Sequence, residues 1–131
     1  MVVDTSALAA IVFEEAEAER ITDAIYSADL VRIGAPTLVE ITAVVLGRLR
    51  ERGLDKLQSI IADGEIQVVE MSPAAAEIAC TAYARYGKGV GNPGVLNFGD
   101  CLAYGVAQAL GEPLLFKGDD FSATDVRAAP Y

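Results

Sequence analysis

The sequence predicts an α/β fold, a three-layer α/β/α arrangement in which a central parallel sheet of four to five strands is flanked by helices. Three observations predict it. Short Val-, Ile- and Leu-rich runs without polar alternation recur along the chain, as in strands covered on both faces. Between them lie longer segments with apolar residues at helical spacing. The two kinds of segment alternate throughout, which is the pattern of strand–helix–strand crossovers. A length of 131 residues, with no linker or internal repeat, reads as one domain over residues 1–131.

The elements follow in order. Met1–Val3 is a buried strand, and Asp4, Thr5 and Ser6 are all N-cap types, so the chain passes at once into a helix over Ser6–Phe13. In a parallel sheet Asp4 then lies at the carboxyl end of a central strand, where open α/β sheets form their ligand crevice. The acidic run Glu14–Glu19 suits the first turn of a second helix, whose stripe is Ile21, Ala24, Ile25 and Ala28. Val31–Ala35 is the second strand, ended by Pro36. Thr37–Glu40 opens a long helix to about Arg52, with Ile41, Val44, Val45 and Leu49 facing inward and Gly53 as its stop. A short helix from Asp55 to Asp63 ends at Gly64, and Ile66–Met71 is the third strand. Ser72-Pro73 places Ser at the N-cap and Pro at the first helical position of a helix running through Tyr86. Gly87–Gly94 is a Gly/Pro-dense connector, read as mobile unless its backbone N–H groups face phosphates. Asn97 opens a helix to Leu110, Gly111-Glu112-Pro113 breaks it, and Leu114–Phe116 is the fourth strand. A short edge strand is expected around Val126–Ala128.

Composition narrows the chemistry. Apolar residues make up 53% of the chain and the mean hydropathy is +0.35, which indicates a filled core. No apolar run approaches the ~20 residues of a membrane span, and an acid at position 4 does not suit a signal peptide; the expectation is a cytoplasmic protein without a membrane role. Cys80 and Cys101 have no metal-type spacing and read as reduced core thiols. There is no histidine. That excludes Ser-His and Cys-His nucleophiles, imidazole acid–base catalysis and nearly every zinc or haem site. The net charge of −9 argues against a broad basic nucleic-acid surface, although an acidic metal cluster would itself supply several of those charges.

Segments that follow parallel strands share one sheet edge. Asp4 follows strand one, Glu40 lies in the first turn after strand two, and Asp119 and Asp120 follow strand four. Asp100 opens the helix that enters strand four, and topology alone leaves its edge open. Each acid also has a structural explanation: Asp4 as an N-cap, Thr37 and Glu40 as a capping box, Asn97 and Asp100 as a cap pair, Asp119-Asp120 as a turn. Glu40 stands out because its neighbours Leu38, Val39, Ile41 and Val44 imply a buried stretch. Two carboxylates about 4 Å apart repel by ~4 kcal/mol at an effective dielectric near 20, so several in one cleft require protonation or a cation. All-oxygen ligation indicates Mg²⁺, with Mn²⁺ as the alternative, and such a site without histidine points to phosphodiester hydrolysis.

At this point the motifs resemble a known family. The start Val2-Val3-Asp4-Thr5-Ser6-Ala7-Leu8, the Glu40 placement, Leu96-Asn97-Phe98-Gly99-Asp100-Cys101 and Leu114-Leu115-Phe116-Lys117-Gly118-Asp119-Asp120-Phe121 are similar to PIN-domain ribonucleases. With Tyr86-Gly87-Lys88-Gly89, the likeness is to VapC-type toxins of VapBC toxin–antitoxin pairs, and it covers essentially the whole chain. The resemblance implies a Mg²⁺-dependent endoribonuclease that cuts RNA, commonly tRNA or ribosomal RNA, and stops translation. It implies Asp4 and Asp100 as main metal ligands and Glu40 as a further ligand that orients the attacking water. The family's turn reads Thr-x-Asp-x-Asp-Phe, and here Gly118 stands where its first Asp would fall; Asp119 takes that role by a one-residue shift, with Asp120 as its substitute. Thr5, Ser6 and Asn97 would supply supporting hydrogen bonds, and Arg85, Lys88 and Lys117 would contact RNA. Attack by water activated at the metal would leave 5′-phosphate and 3′-hydroxyl ends. The implied partners are a second copy of the chain and a VapB-type antitoxin whose Arg enters the acidic site; the Arg48–Arg52 cluster serves RNA, the antitoxin or neither. The competing readings are a PIN fold that only binds, and a phospho-receiver using Lys117 and, after strand three, Glu70. A haloacid-dehalogenase-like phosphatase is disfavoured because Ser6 stands where it needs its second Asp.

Overall fold

Four parallel strands, β1 (Val2–Val3), β2 (Arg32–Gly34), β3 (Gln67–Val69) and β4 (Leu114–Leu115), form a sheet in the order β3-β2-β1-β4. Five helices cover it: α1 (Thr5–Val12), α2 (Ala18–Ser27), α3 (Ala35–Asp63), α4 (Pro73–Tyr86) and α5 (Phe98–Leu110). The computed structural model describes residues 1–131. The expected α/β/α architecture with a four-strand parallel sheet is what forms. No helix is long and apolar enough to cross a membrane.

The strand order explains where a site can lie. The chain steps outward from β1 to β2 to β3, then returns to the other side of β1 for β4. Connections therefore leave β1 and β4 in opposite directions, and the carboxyl side of such a switch point is where open α/β sheets place their ligands. Register is set by side-chain burial. Val2 pairs with Leu114 and Val3 with Leu115, all four fully buried. Val2 and Leu114 pack into one core with α4, α5, Phe116 and Phe121, while Val3 and Leu115 pack into a second with α1, α2, α3 and Ile33. A one-residue slip would exchange these faces, so the pairing is strongly specified. Each such side chain contributes roughly 1.5–3 kcal/mol by burial.

Several boundaries differ from expectation. β3 is shorter than Ile66–Met71 and lies at the sheet edge, with Gln67 and Val68 exposed. The long helix does not stop at Gly53. It breaks at Arg50, whose φ of 57° lies in the left-handed region, and resumes with Gly53 buried against Val45 and Leu49. Within it Ile41 and Val45 are buried, but Val44 and Leu49 are exposed. Ile41 and Val45 are one turn apart and claim the single face that α1 covers. Cys101 is buried as expected, whereas Cys80 is exposed on α4. The tail adds only a bridge between Leu114 and Ala128, closed by Leu114 N–H to Arg127 O and Ala129 N–H to Leu114 O, each 2.8 Å.

The Gly-rich connector is not an open tether. Gly87 and Leu96 form a parallel bridge, Lys88 N–H donates to Leu96 O at 2.8 Å, and Val95 and Leu96 N–H both donate to Tyr86 O. Val90 and Gly91 N–H turn inward to Gly87 O, and Asn92 N–H donates to Arg85 O. Most of the N–H groups expected to face phosphates are therefore committed within the loop.

Candidate active site

The site begins where β1 runs out. Asp4 N–H donates to Leu115 O at 2.9 Å, which ties the residue to the end of β4. Asp4 is also the N-cap of α1, its Oδ2 accepting from Ser6 N at 2.9 Å and Ser6 Oγ at 2.6 Å. Ser6 Oγ in turn accepts from Lys117 N–H at 3.0 Å, so one hydroxyl links both strand ends to the acid. Asp4 is only 2% exposed, and its Oδ1 is buried without a partner. Burial pushes its carboxyl up to about 6; the Ser6 bonds oppose this and the charges of Asp100 and Glu40 add to it.

Glu40 reaches the same edge by a route the sequence did not show. Helix α3 starts after Gly34, with Pro36 in its first turn, so Thr37 is inside the helix and buried rather than at its cap. The expected Thr37–Glu40 capping box is absent. Glu40 Oε2 instead accepts from Thr5 Oγ1 at 2.8 Å. Its stretch is half-buried, not buried, since Val39 beside it is 70% exposed. Thr5 therefore supports Glu40, and Ser6 alone supports Asp4.

Asp100 is delivered by α5. Asn97 caps this helix, accepting from Asp100 N at 2.9 Å, while Asp100 Oδ2 accepts from Asn97 N at 2.7 Å. The ordered connector sets that helix start against Glu40, whose carboxylate packs on Gly99. Burial again raises the Asp100 carboxyl, to about 6, with the Asn97 N–H opposing; Asp120 and Glu40 push it up and Lys88 pulls it down. Asp4 thus feels the charges of Asp100 and Glu40, and Asp100 feels that of Glu40. The three acids are gathered rather than closed on one point, and no trio of acidic or thiol side chains stands at mutual metal-ligand spacing. Each leans on a nearby donor instead, which lowers the repulsion.

The donor set nonetheless fits a hard divalent cation. All donors are carboxylate oxygens, two of the acids are destabilised as anions, and Asp4 Oδ1 is a buried acceptor with nothing to accept from. Mg²⁺ or Mn²⁺ would be held by Asp4 and Asp100, with Glu40 beside them. The phospho-receiver arrangement does not form: β3 is two strands from β1, Glu70 is exposed, and Lys117 Nζ is bound by Glu15 at 2.5 Å and Glu17 at 3.0 Å.

Residues 1–127 match the family model described as PIN domain. The chain is 42% identical over 129 residues to Ribonuclease VapC42 of Mycobacterium tuberculosis (strain ATCC 25618 / H37Rv), covering 98% of both chains. It belongs to the PIN-domain family. Two solved structures share the fold. The sarcin–ricin loop cleaving toxin VapC20 of M. tuberculosis superposes with a TM-score of 0.77 at 19% identity, over 99% of this chain and 98% of that one. DNA-bound VapBC from Salmonella typhimurium gives 0.72 at 17%, over 97% and 93%.

The remaining candidates of this PIN domain divide. Asp119 and Asp120 are both exposed in the turn after β4. Asp120, not Asp119, is among the leading charges acting on Asp100, and it pairs with Lys88 at 3.5 Å. Asp119 contributes a backbone bond, its carbonyl accepting from Ser122 N–H at 2.9 Å. Lys88 is half exposed beside the acids. Arg85 is turned to Asp125 at 3.3 Å and lies over the Tyr86 ring, and Lys117 is held by its two glutamates on the α1–α2 side. Arg48 stacks on Phe13 at 4.5 Å. The role of Gly99 was missed; a glycine one residue before a site acid was the available signal.

Proposed function

We propose that this PIN domain is a Mg²⁺-dependent endoribonuclease, the toxin of a VapBC pair, that cuts RNA and thereby stops translation; Mn²⁺ would substitute. The observation that carries the reading is Asp4: a fully buried carboxylate with one unpartnered oxygen, beside Glu40 and Asp100, in a chain 42% identical to a VapC ribonuclease. Keeping that buried carboxylate ionised above about pH 6 costs the fold stability, and a bound cation would offset the cost. When bound, the cation neutralises charge on the scissile phosphate and makes water nucleophilic at neutral pH. Asp4 and Asp100 bind it. Glu40, held by Thr5, accepts a proton from or orients the attacking water. Asp120, across from Asp100, fits the fourth-acid role better than Asp119, and Lys88 is the cation best placed for an RNA phosphate.

The partners we infer are an RNA of the translation machinery, tRNA or ribosomal RNA, a VapB-type antitoxin and a second copy of the chain. VapBC complexes are among the solved structures that share the fold. An antitoxin guanidinium at the acids would take the place of the cation. One domain acting in the cytoplasm is consistent with this reading. The test is cleavage of total bacterial tRNA by antitoxin-free protein with Mg²⁺ or with EDTA, beside Asp100→Asn. Discrete fragments ending in 5′-phosphate and 3′-hydroxyl, lost in both controls, are expected. A 2′,3′-cyclic phosphate product, or cutting that survives EDTA, would overturn the mechanism. Mn²⁺ binding without cleavage of tRNA or ribosomal RNA would favour a PIN fold that only binds.

A further inference from the structure

Gly99 lies in the first turn of α5, between the N-cap Asn97 and Asp100, and is buried. A side-chain methyl built there would overlap Oε1, Oε2 and Cδ of Glu40. None of the other glycines of the chain meets a charged group in this way: Gly34 meets Val106, Gly105 meets Ala75 and Ala79, and Gly87 and Gly91 meet backbone. Nor does Gly99 answer a backbone need, because the glycines with positive φ are Gly89, Gly111 and Gly118. Alanine would suit this helical position better than glycine does. The missing side chain is therefore matched by Glu40. That carboxylate is held from its other side by Thr5 Oγ1 at 2.8 Å, and it sits at the helix end whose dipole favours an anion.

We propose that Gly99 is a positioning residue of the acidic site: its bare Cα admits the Glu40 carboxylate to the first turn of α5 beside Asp100, and Thr5 fixes its rotation. The clamp joins α1, α3 and α5, so one side chain reports how all three are set. This rests on the reading of Glu40 as a site acid. The overlapping atoms are the end of a flexible side chain, so Gly99→Ala moves Glu40 rather than breaking the helix. The fold is nearly unaffected while the site loses function, which separates positioning from a structural role.

The experiment is a double-mutant cycle of G99A and E40A, with three readouts: thermal unfolding without metal, Mn²⁺ affinity by titration calorimetry, and RNA cleavage with Mg²⁺. G99A should unfold within about 3 °C of the wild type, yet lose about tenfold in Mn²⁺ affinity and roughly 10–100-fold in cleavage. In the E40A background G99A should change neither affinity nor cleavage and should raise the unfolding midpoint. T5V should lower affinity and cleavage in the same direction, and T5S should restore them. Equal losses from G99A in both backgrounds, or none on the wild type, would overturn the clamp. If E40A itself leaves affinity and cleavage unchanged, the reading of Glu40 as a site acid fails. The midpoints still decide the clamp: a larger rise from G99A in E40A than in the wild type upholds the overlap, and equal shifts overturn it.

Discussion

The ends of β1 and β4 are neighbours at one sheet edge, both are followed by acids, and they are built in opposite ways. After β1 the chain turns straight into a helix, and Asp4 is buried with its N–H on Leu115 and its Oδ2 on Ser6. After β4 it passes through Gly118, at a φ of 95°, into a turn that leaves Asp119 and Asp120 in solvent. Asp120 pairs with Lys88 at 3.5 Å. Water screens the turn acids, so their charge is inexpensive and their geometry adjustable. Asp4 has neither relief. Burial makes its ionised form unfavourable, so in the proposed site Asp4 would decide whether a cation is held and the turn would tune it.

Substitutions should reproduce that contrast. Asp4→Ala should abolish detectable metal-dependent cleavage, a loss of more than about 100-fold, since removing a residue that merely supports a ligand already costs roughly 10–100-fold. Ser6→Ala falls in that lower range, because it removes the hydroxyl joining Lys117 N–H to Asp4; cleavage rates measure both. At the β4 end Asp120→Asn should cost about tenfold and Asp119→Asn less than about threefold, again by cleavage rate. Equal effects of Asp119→Asn and Asp4→Ala would break the comparison.

The same contrast sets a pH dependence. Asp4 titrates near 6 in the folded protein against 3.8 for the free side chain, so the native state binds the proton more tightly. Stability from this group is therefore complete below about pH 4 and lost as pH rises to 6. At about 1.4 kcal/mol per unit the loss is roughly 3 kcal/mol for a fully buried group. Metal-free Asp4→Asn should thus match the wild type near pH 4 and exceed it above pH 6, in denaturant unfolding at each pH. Mn²⁺ should cancel the difference by stabilising the wild type only. A wild type that instead gained stability over this window, relative to Asp4→Asn, would show that Asp4 is not buried as described.

What was legible in the sequence shared a physical character. The step from Val3 to Asp4 and Thr5, the Ser72-Pro73 start, the Asn97–Asp100 cap and the stop at Gly111 are local chemistry within a few residues, and each formed where expected. The paired faces of Val2 and Val3 also follow from period and burial. What was not legible depended on partners distant in the chain. Glu40 looked like half of a capping box with Thr37 until Thr5, 35 residues away, claimed it. Lys117 looked free for phosphate until Glu15 and Glu17 folded against it. The connector looked mobile because glycine content reports freedom in the unfolded chain, not the hydrogen bonds that Tyr86 and Gly87 carbonyls offer in the folded one. Arg50 gave no sign of a break, since neither glycine nor proline marks the positive φ it adopts.

The solitary buried oxygen of Asp4 also shapes how the activity can disappear by mutation. Most inactivating changes in a small protein act by unfolding it, and the cell then clears the product. Here a change from Asp to Asn would remove the proposed chemistry and relieve the chain of a charge it holds badly. Silent alleles of this type should persist as long-lived, well-folded protein that still engages every partner recognising the fold. Given the antitoxin proposed above, such an allele would draw it away from active copies, so a loss of function at this position would act as a dominant release of its neighbours.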